Sequence, residues 1–182
     1  RRRHTRCSRD WSSDVCSSDL LEKTLRIGVI MNVVIDMRKS DRKEVIEACI
    51  TLFIRELKLE KSKSTLFVFS RKNFENETGA AGMVYPYADG LITMDLDSRM
   101  SLDKLIQTLA HEMVHVKQIV RGQLKYVGKK IFWKGERVYP KKMSYYNHPW
   151  EIDAWRNEKV LASRVWYLFE KIGVTDKIKF GG

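Results

Sequence analysis

Two histidines and a glutamate carry the clearest chemistry in this chain, standing together as His111-Glu112-Met113-Val114-His115. On a helix, residues four apart project from one face a turn apart, a separation that suits two imidazoles on one zinc ion. The glutamate between them can lean towards a water on that metal without becoming a ligand. There it acts as general base while zinc acidifies the water and polarises a scissile carbonyl. The expected chemistry is zinc-assisted hydrolysis, with His111 and His115 as ligands and Glu112 as base. A catalytic zinc takes a third protein ligand and keeps one position open. The longer pattern, in which a glycine and a third histidine follow on the same segment, is absent, because Gln118 and Arg121 stand in those places.

The third ligand must come from another element. The stretch from Trp150 to Ile172 carries an apolar stripe of Ala154, Leu161, Val165, Leu168 and Ile172. At ~100° per residue, Glu151 and Glu158 fall on that stripe, while Asp153 points nearly opposite with Asn157 and Arg164. An acid on a core-facing stripe needs a partner. Glu151 lies at the helix entrance, where a cleft can reach it, and is the expected third ligand. Glu158, two turns deeper, is placed to hydrogen-bond a ligating histidine. The competing readings are a capping role for Glu151 and an internal ion pair for Glu158. Tyr145, Tyr146 and His148 lie just before this helix and are candidates for the donor that stabilises an oxyanion, with aromatic packing as the alternative for each.

The run Thr108–Gln118, followed by Pro149-Trp-Glu-Ile-Asp-Ala154, resembles the small HExxH metallopeptidase-like proteins of phages and bacteria. These are of the gluzincin type, with a glutamate third ligand on a following helix, and are similar in appearance to SprT-like domains. The resemblance covers residues 60–170, and it is specific at the two motifs. It implies a zincin-like fold, peptide or protein substrates, and zinc bound by His111, His115 and Glu151 with Glu112 as base. It also implies that the strand before the active helix, Leu91–Leu96, takes substrate as an added antiparallel strand. SprT-like domains often use a third histidine instead, for which His148 is the candidate.

The elements that must position these residues follow from periodicity. Val29–Asp36 and Leu66–Ser70 read as strands, and Asp41–Leu57 as an amphipathic helix with Val45, Ile46, Cys49, Ile50, Phe53, Ile54 and Leu57 on one stripe. Phe74–Ala88, with Gly79, Gly82 and Pro86, reads as loop around one short strand, Gly82–Tyr85. Leu91–Leu96 alternates, with Ile92, Met94 and Leu96 on a buried face and Thr93 and Asp95 on an open one. Ser101 caps a helix that keeps an apolar stripe to Val120 and stops at Gly122. Tyr126–Tyr139 suggests a hairpin, and the last helix runs from Pro149 to Gly173. Helices around a few short strands predict one α+β domain, a small mixed sheet with the motif helix and a following ligand-bearing helix.

The chain has 182 residues, enough for one domain with a real core. No apolar run approaches the ~20 residues of a membrane-spanning helix, so a cytoplasmic protein without membrane contact is expected. Residues 10–20, Asp-Trp-Ser-Ser-Asp-Val-Cys-Ser-Ser-Asp-Leu, read as the in-frame translation of a sequencing-library adapter. Residues 1–20 are therefore set apart from a domain spanning 21–182. Of the 34 basic and 23 acidic residues, five Arg and three Asp fall in that segment, leaving 29 against 20, or +9. Cys49, on the helical stripe, reads as a buried small hydrophobe.

Residues 121–149 hold eight Lys and Arg against Glu136 alone, interleaved with Tyr126, Phe132, Trp133, Tyr139, Tyr145 and Tyr146. Such a segment can bind nucleic acid by phosphate contact and base stacking, with Lys129, Lys130, Lys141 and Lys142 as candidate contacts. The alternatives are an acidic peptide substrate drawn by the same charge, and a solvated hairpin. A nucleic-acid-associated protein with a zinc site is accordingly the second functional reading.

Overall fold

The computed structural model describes residues 31–37, 41–88 and 90–171. The adapter-like segment, Val29, and the expected helix end at Gly173 with Ile172 lie outside these residues. The element order is β1 (Asn32–Asp36), α1 (Asp41–Glu56), β2 (Thr65–Arg71), α2 (Phe74–Thr78), β3 (Gly82–Ala88), β4 (Leu91–Asp97), α3 (Leu102–Val120), β5 (Leu124–Val127), β6 (Lys130–Trp133), β7 (Glu136–Val138) and α4 (Pro149–Lys171). Two short 3-10 turns, Pro140–Lys142 and Tyr145–Asn147, link β7 to α4. The fold is α+β, with a small mixed sheet and several helices.

Strands β1, β2 and β4 are parallel neighbours, and β3 pairs antiparallel with β4 at the edge of the order β1-β2-β4-β3. Period-two alternation sends Leu66 and Val68 of β2 and Ile92, Met94 and Leu96 of β4 into the core. The α1 stripe meets them with Ile46, Cys49, Ile50, Phe53 and Ile54, all nearly fully buried. Each aliphatic or aromatic side chain buried in this way contributes about 1.5–3 kcal/mol. Cys49 is fully buried and its thiol is pushed up by desolvation, so it packs as a hydrophobe. The helix α3 packs against α1, β3, β5 and, most extensively, α4. Ser101 Oγ caps it by accepting from Lys104 N–H at 3.3 Å.

Three expectations need correction. The strand Leu91–Leu96 is not an edge: β4 is paired on both sides, by β2 and β3, so it has no free backbone to offer an added strand. Its alternation reveals faces and is silent about neighbours. Its expected open face is also partly closed, since Asp95 is buried and accepts from Arg71 Nε at 2.6 Å. Phe74–Ala88 is not a loop around a four-residue strand, but holds α2 and the longer β3. Periodicity hides this helix because its start is held from afar: Asp97 Oδ2 accepts the Glu75 N–H at 2.9 Å. The expected hairpin is a three-stranded meander, β5-β6-β7. Lys134 and Gly135 both have positive φ, 49° and 92°, in the two-residue turn between β6 and β7.

Asp97 also accepts the Arg99 N–H at 2.7 Å, so one carboxylate ties α2 to the turn that launches α3. These two bonds hold it below its ordinary pKa. The stabilisation is therefore complete above the unfolded value of ~3.9 and is lost as pH falls through the lower folded value. Asp97→Asn is expected to cost about 1–2 kcal/mol at neutral pH, read by urea denaturation. The gap between variant and parent should close as the titration is carried into acid; a constant gap at every pH would contradict this role.

Candidate metal centre

The motif helix and α4 pack against each other so that their polar residues meet. His111, Glu112 and His115 come from the middle of α3, and Glu151 and Glu158 from α4, two turns apart. Glu112, His115, Glu151 and Glu158 are each less than one-tenth exposed. His111 Nε2 and His115 Nε2 lie 3.1 Å apart, and Glu151 Oε2 lies 3.2 Å from the first and 3.4 Å from the second. Ligands at ~2.0–2.1 Å around a tetrahedral zinc are separated by roughly 3.3–3.4 Å. The triangle of donor atoms is therefore the base that such an ion requires, and these three residues could hold it.

The far side of each imidazole decides which nitrogen is free. His111 Nδ1–H donates to Glu158 Oε2 at 2.7 Å, and the other Glu158 oxygen accepts from Gln107 Nε2 at 3.1 Å. His115 Nδ1–H donates to Gln118 Oε1 at 2.9 Å. The Gln118 amide cannot be turned round, because its Nε2 donates to Trp150 C=O at 3.0 Å and to Asp153 Oδ2 at 2.9 Å. With both Nδ1 atoms committed as donors, each ring when neutral turns its Nε2 lone pair towards the other ring and Glu151. Three electron-rich atoms converging at such distances call for a cation among them, a proton or a metal.

Electrostatics agree with that demand. Burial pulls the His111 imidazole down, but Glu151, Glu112 and Glu158 outweigh it and hold it up at about 9. His115 is raised by Glu151 and Glu112 against the same desolvation. Burial pushes Glu151 up, yet hydrogen bonds from His111, His115 and Tyr145 hold it well below the usual carboxylate range. Glu112 differs: burial raises it, and the two histidines pull it back less strongly.

An open cleft of about 720 Å³ lies over this cluster, bounded by Thr78–Tyr85 on one side and by Tyr126, Tyr145, Trp150 and Trp155 on the other. Its floor passes under Gly82. A Cβ on Gly82 would stand 2.6 Å from Thr108 Cγ2 and 3.0 Å from Glu112 Cγ, so only glycine lets β3 come down onto the glutamate.

Of the sequence-predicted residues, the structure brings His111, Glu112, His115, Glu151 and Glu158 together, with Tyr145 bonded through its hydroxyl to Glu151. It does not bring in His148 or Tyr146. His148 is turned to the Pro140 carbonyl at 3.4 Å and lies against Trp150, while Tyr146 is exposed and stacks on Trp155. Neither lines the cleft. Asp153 is not idle on an opposite face: it reaches back to α3 through Gln118 and, at 3.8 Å, Lys117. Sequence reasoning misses Gln118, Gly82, Tyr126 and Trp155. Gln118 has a readable signal, since it follows His115 by three residues on the same helical face; the others are set by tertiary approach alone. No protein-family model, curated protein or solved structure matches this chain.

Gln118→Leu, which keeps bulk but removes the clamp on His115, should weaken zinc binding by about 10–100-fold, as loss of a group supporting a metal ligand typically does. Chelator competition reads this directly; affinity equal to the parent's would show that the clamp does not orient the ring.

Proposed function

We propose that this chain is a zinc-dependent peptidase with a zincin-like fold, using His111, His115 and Glu151 to hold the metal and Glu112 as general base. The observation that carries the reading is the convergence of three donor atoms beside a buried glutamate that is not one of them. A purely structural zinc site is closed by four protein ligands, whereas the His/Cys/Asp/Glu group among the described residues has three members. When bound, zinc would supply the Lewis acidity that polarises a peptide carbonyl and makes a water easier to deprotonate.

The rest is the work of this chain's residues. Glu112 takes a proton from the attacking water and passes it to the leaving amine, a task for which its raised pKa suits it. Glu158 and Gln118 keep the two imidazoles in the tautomer that offers Nε2. The Tyr145 hydroxyl, pushed up by burial and then by the charge of Glu151, stays protonated and able to donate at the cleft wall.

The strand available to substrate is β3. Asp97 N–H bonds to Ala81 C=O at 2.9 Å, which makes Ala81 and Asp97 a hydrogen-bonded pair. By antiparallel alternation Met83 and Tyr85 also face β4, and Gly82, Val84 and Pro86 turn their backbone groups to the free edge. An extended peptide laid there finds N–H and C=O on Gly82 and Val84, and a carbonyl alone on Pro86, where donation ends.

Glu112→Gln is expected to lower peptide hydrolysis by about two to four orders of magnitude, as loss of an acid–base group does, while leaving zinc content and thermal unfolding close to the parent's. Glu151→Gln should instead lose zinc, and Asp153→Asn should lose far less of it. A Glu112→Gln protein that still cleaves a broad peptide library at the parent's rate would refute the assignment.

A further inference from the structure

The meander β5-β6-β7 has two chemically different faces. Leu124 and Tyr126 line the cleft, and their partners across the ladder, Trp133 and Ile131, share their face, as does Val138 opposite Ile131. The intervening residues must therefore point away from the cleft. On that outer face Lys125 pairs with Phe132, and Phe132 with Arg137, so one half-buried aromatic ring sits in a row between two cations. Beside this row are Lys130 and an exposed Val127. Tyr139, next on the same side of the chain, is flanked by the Arg137 guanidinium at 4.6 Å and the Lys142 ammonium at 5.0 Å from its ring.

This surface carries no acid of its own. Glu136, the one carboxylate between 121 and 149, pairs with Trp133 on the opposite face. Among the described residues, Lys125, Lys130, Arg137 and Lys142 form no ion pair. Cations held apart from carboxylates keep their full attraction for an external polyanion. None of them lines the cleft, so this charge is not built to hold a peptide over the donor triangle.

We infer that the outer face of the meander is a binding site for single-stranded nucleic acid, with Lys125, Lys130 and Arg137 on phosphates and Phe132 under a base. A ring centred in a cationic row favours this ligand over the other polyanions. An acidic peptide offers carboxylates but no flat face to stack, and a duplex keeps its base faces inside. The site is independent of the peptidase reading, sharing only the sheet that both faces belong to.

The test is fluorescence anisotropy of a labelled 20-mer of thymidylate with the full chain, at several salt concentrations, with duplex DNA and polyglutamate as competitors. The parent should bind the single strand, more weakly with rising salt, and be displaced by neither competitor at equal charge. Replacing Lys125, Lys130 and Arg137 together by Gln should reduce the slope of log affinity against log salt by about 2, at ~0.7 for each phosphate no longer neutralised. Phe132→Ala should weaken binding by about 5–150-fold, the worth of one stacked base. The triple variant should keep the parent's thermal unfolding, since its three cations are exposed. No binding at low salt, binding unchanged in the triple variant, or stronger binding of polyglutamate or duplex would each overturn the proposal.

Discussion

The polar knot between α3 and α4 is the constraint on which the rest of this structure depends. Two imidazoles, three carboxylates and an amide are buried between two helices that also give Leu109, Met113, Val116, Ala154 and Leu161 to the apolar core. Unpaired, each such group would cost kilocalories. The helices are therefore held in the one register where Glu158 meets His111, Gln118 meets His115 and the Trp150 carbonyl, and Glu151 meets both rings. Hydrophobic packing sets how close the helices lie. The knot sets how far one may slide along the other.

The same knot makes the site a competition between protons and metal. Three glutamates surround two histidines, so neutral rings leave an excess of negative charge in a poorly solvated place. The raised pKa values of both imidazoles are the protonic answer to that excess. A divalent cation is the other answer, and taking it would expel the proton that His111, held up at about 9, carries at neutral pH. Gly82 gives the arrangement its second function: because β3 passes directly over Glu112, the free edge of the sheet and the candidate base face one cleft.

Much of this is legible in the sequence, and the reasons are local. His111, Glu112 and His115 share a helical face by spacing alone, and the phase of α4 is enough to favour Glu151 and Glu158 over Asp153. The α1 stripe and the Ser101 cap are legible for the same reason. What the sequence hides depends on distant partners. The α2 start is capped by a residue 22 positions later in the chain, and Gly82 looks like any loop glycine until Thr108 and Glu112 are beneath it. Strand alternation shows which side of Leu91–Leu96 is buried, but edge or centre is a matter of sheet order. Gln118 stands in the sequence where another pattern has glycine, yet its spacing from His115 already places it beside that ring.

Three protein donors meeting at one zinc ion are the central proposal, and X-ray absorption at the zinc edge of the loaded protein tests it most directly. It should show one equivalent of zinc, with two imidazole nitrogens and oxygen donors at ~2.0–2.1 Å and no sulfur. Conversion of Glu151 to Gln should change the oxygen part of that shell. A third imidazole, which only His148 among the described residues could supply, sulfur scattering from Cys49, or a shell indifferent to Glu151 would contradict it.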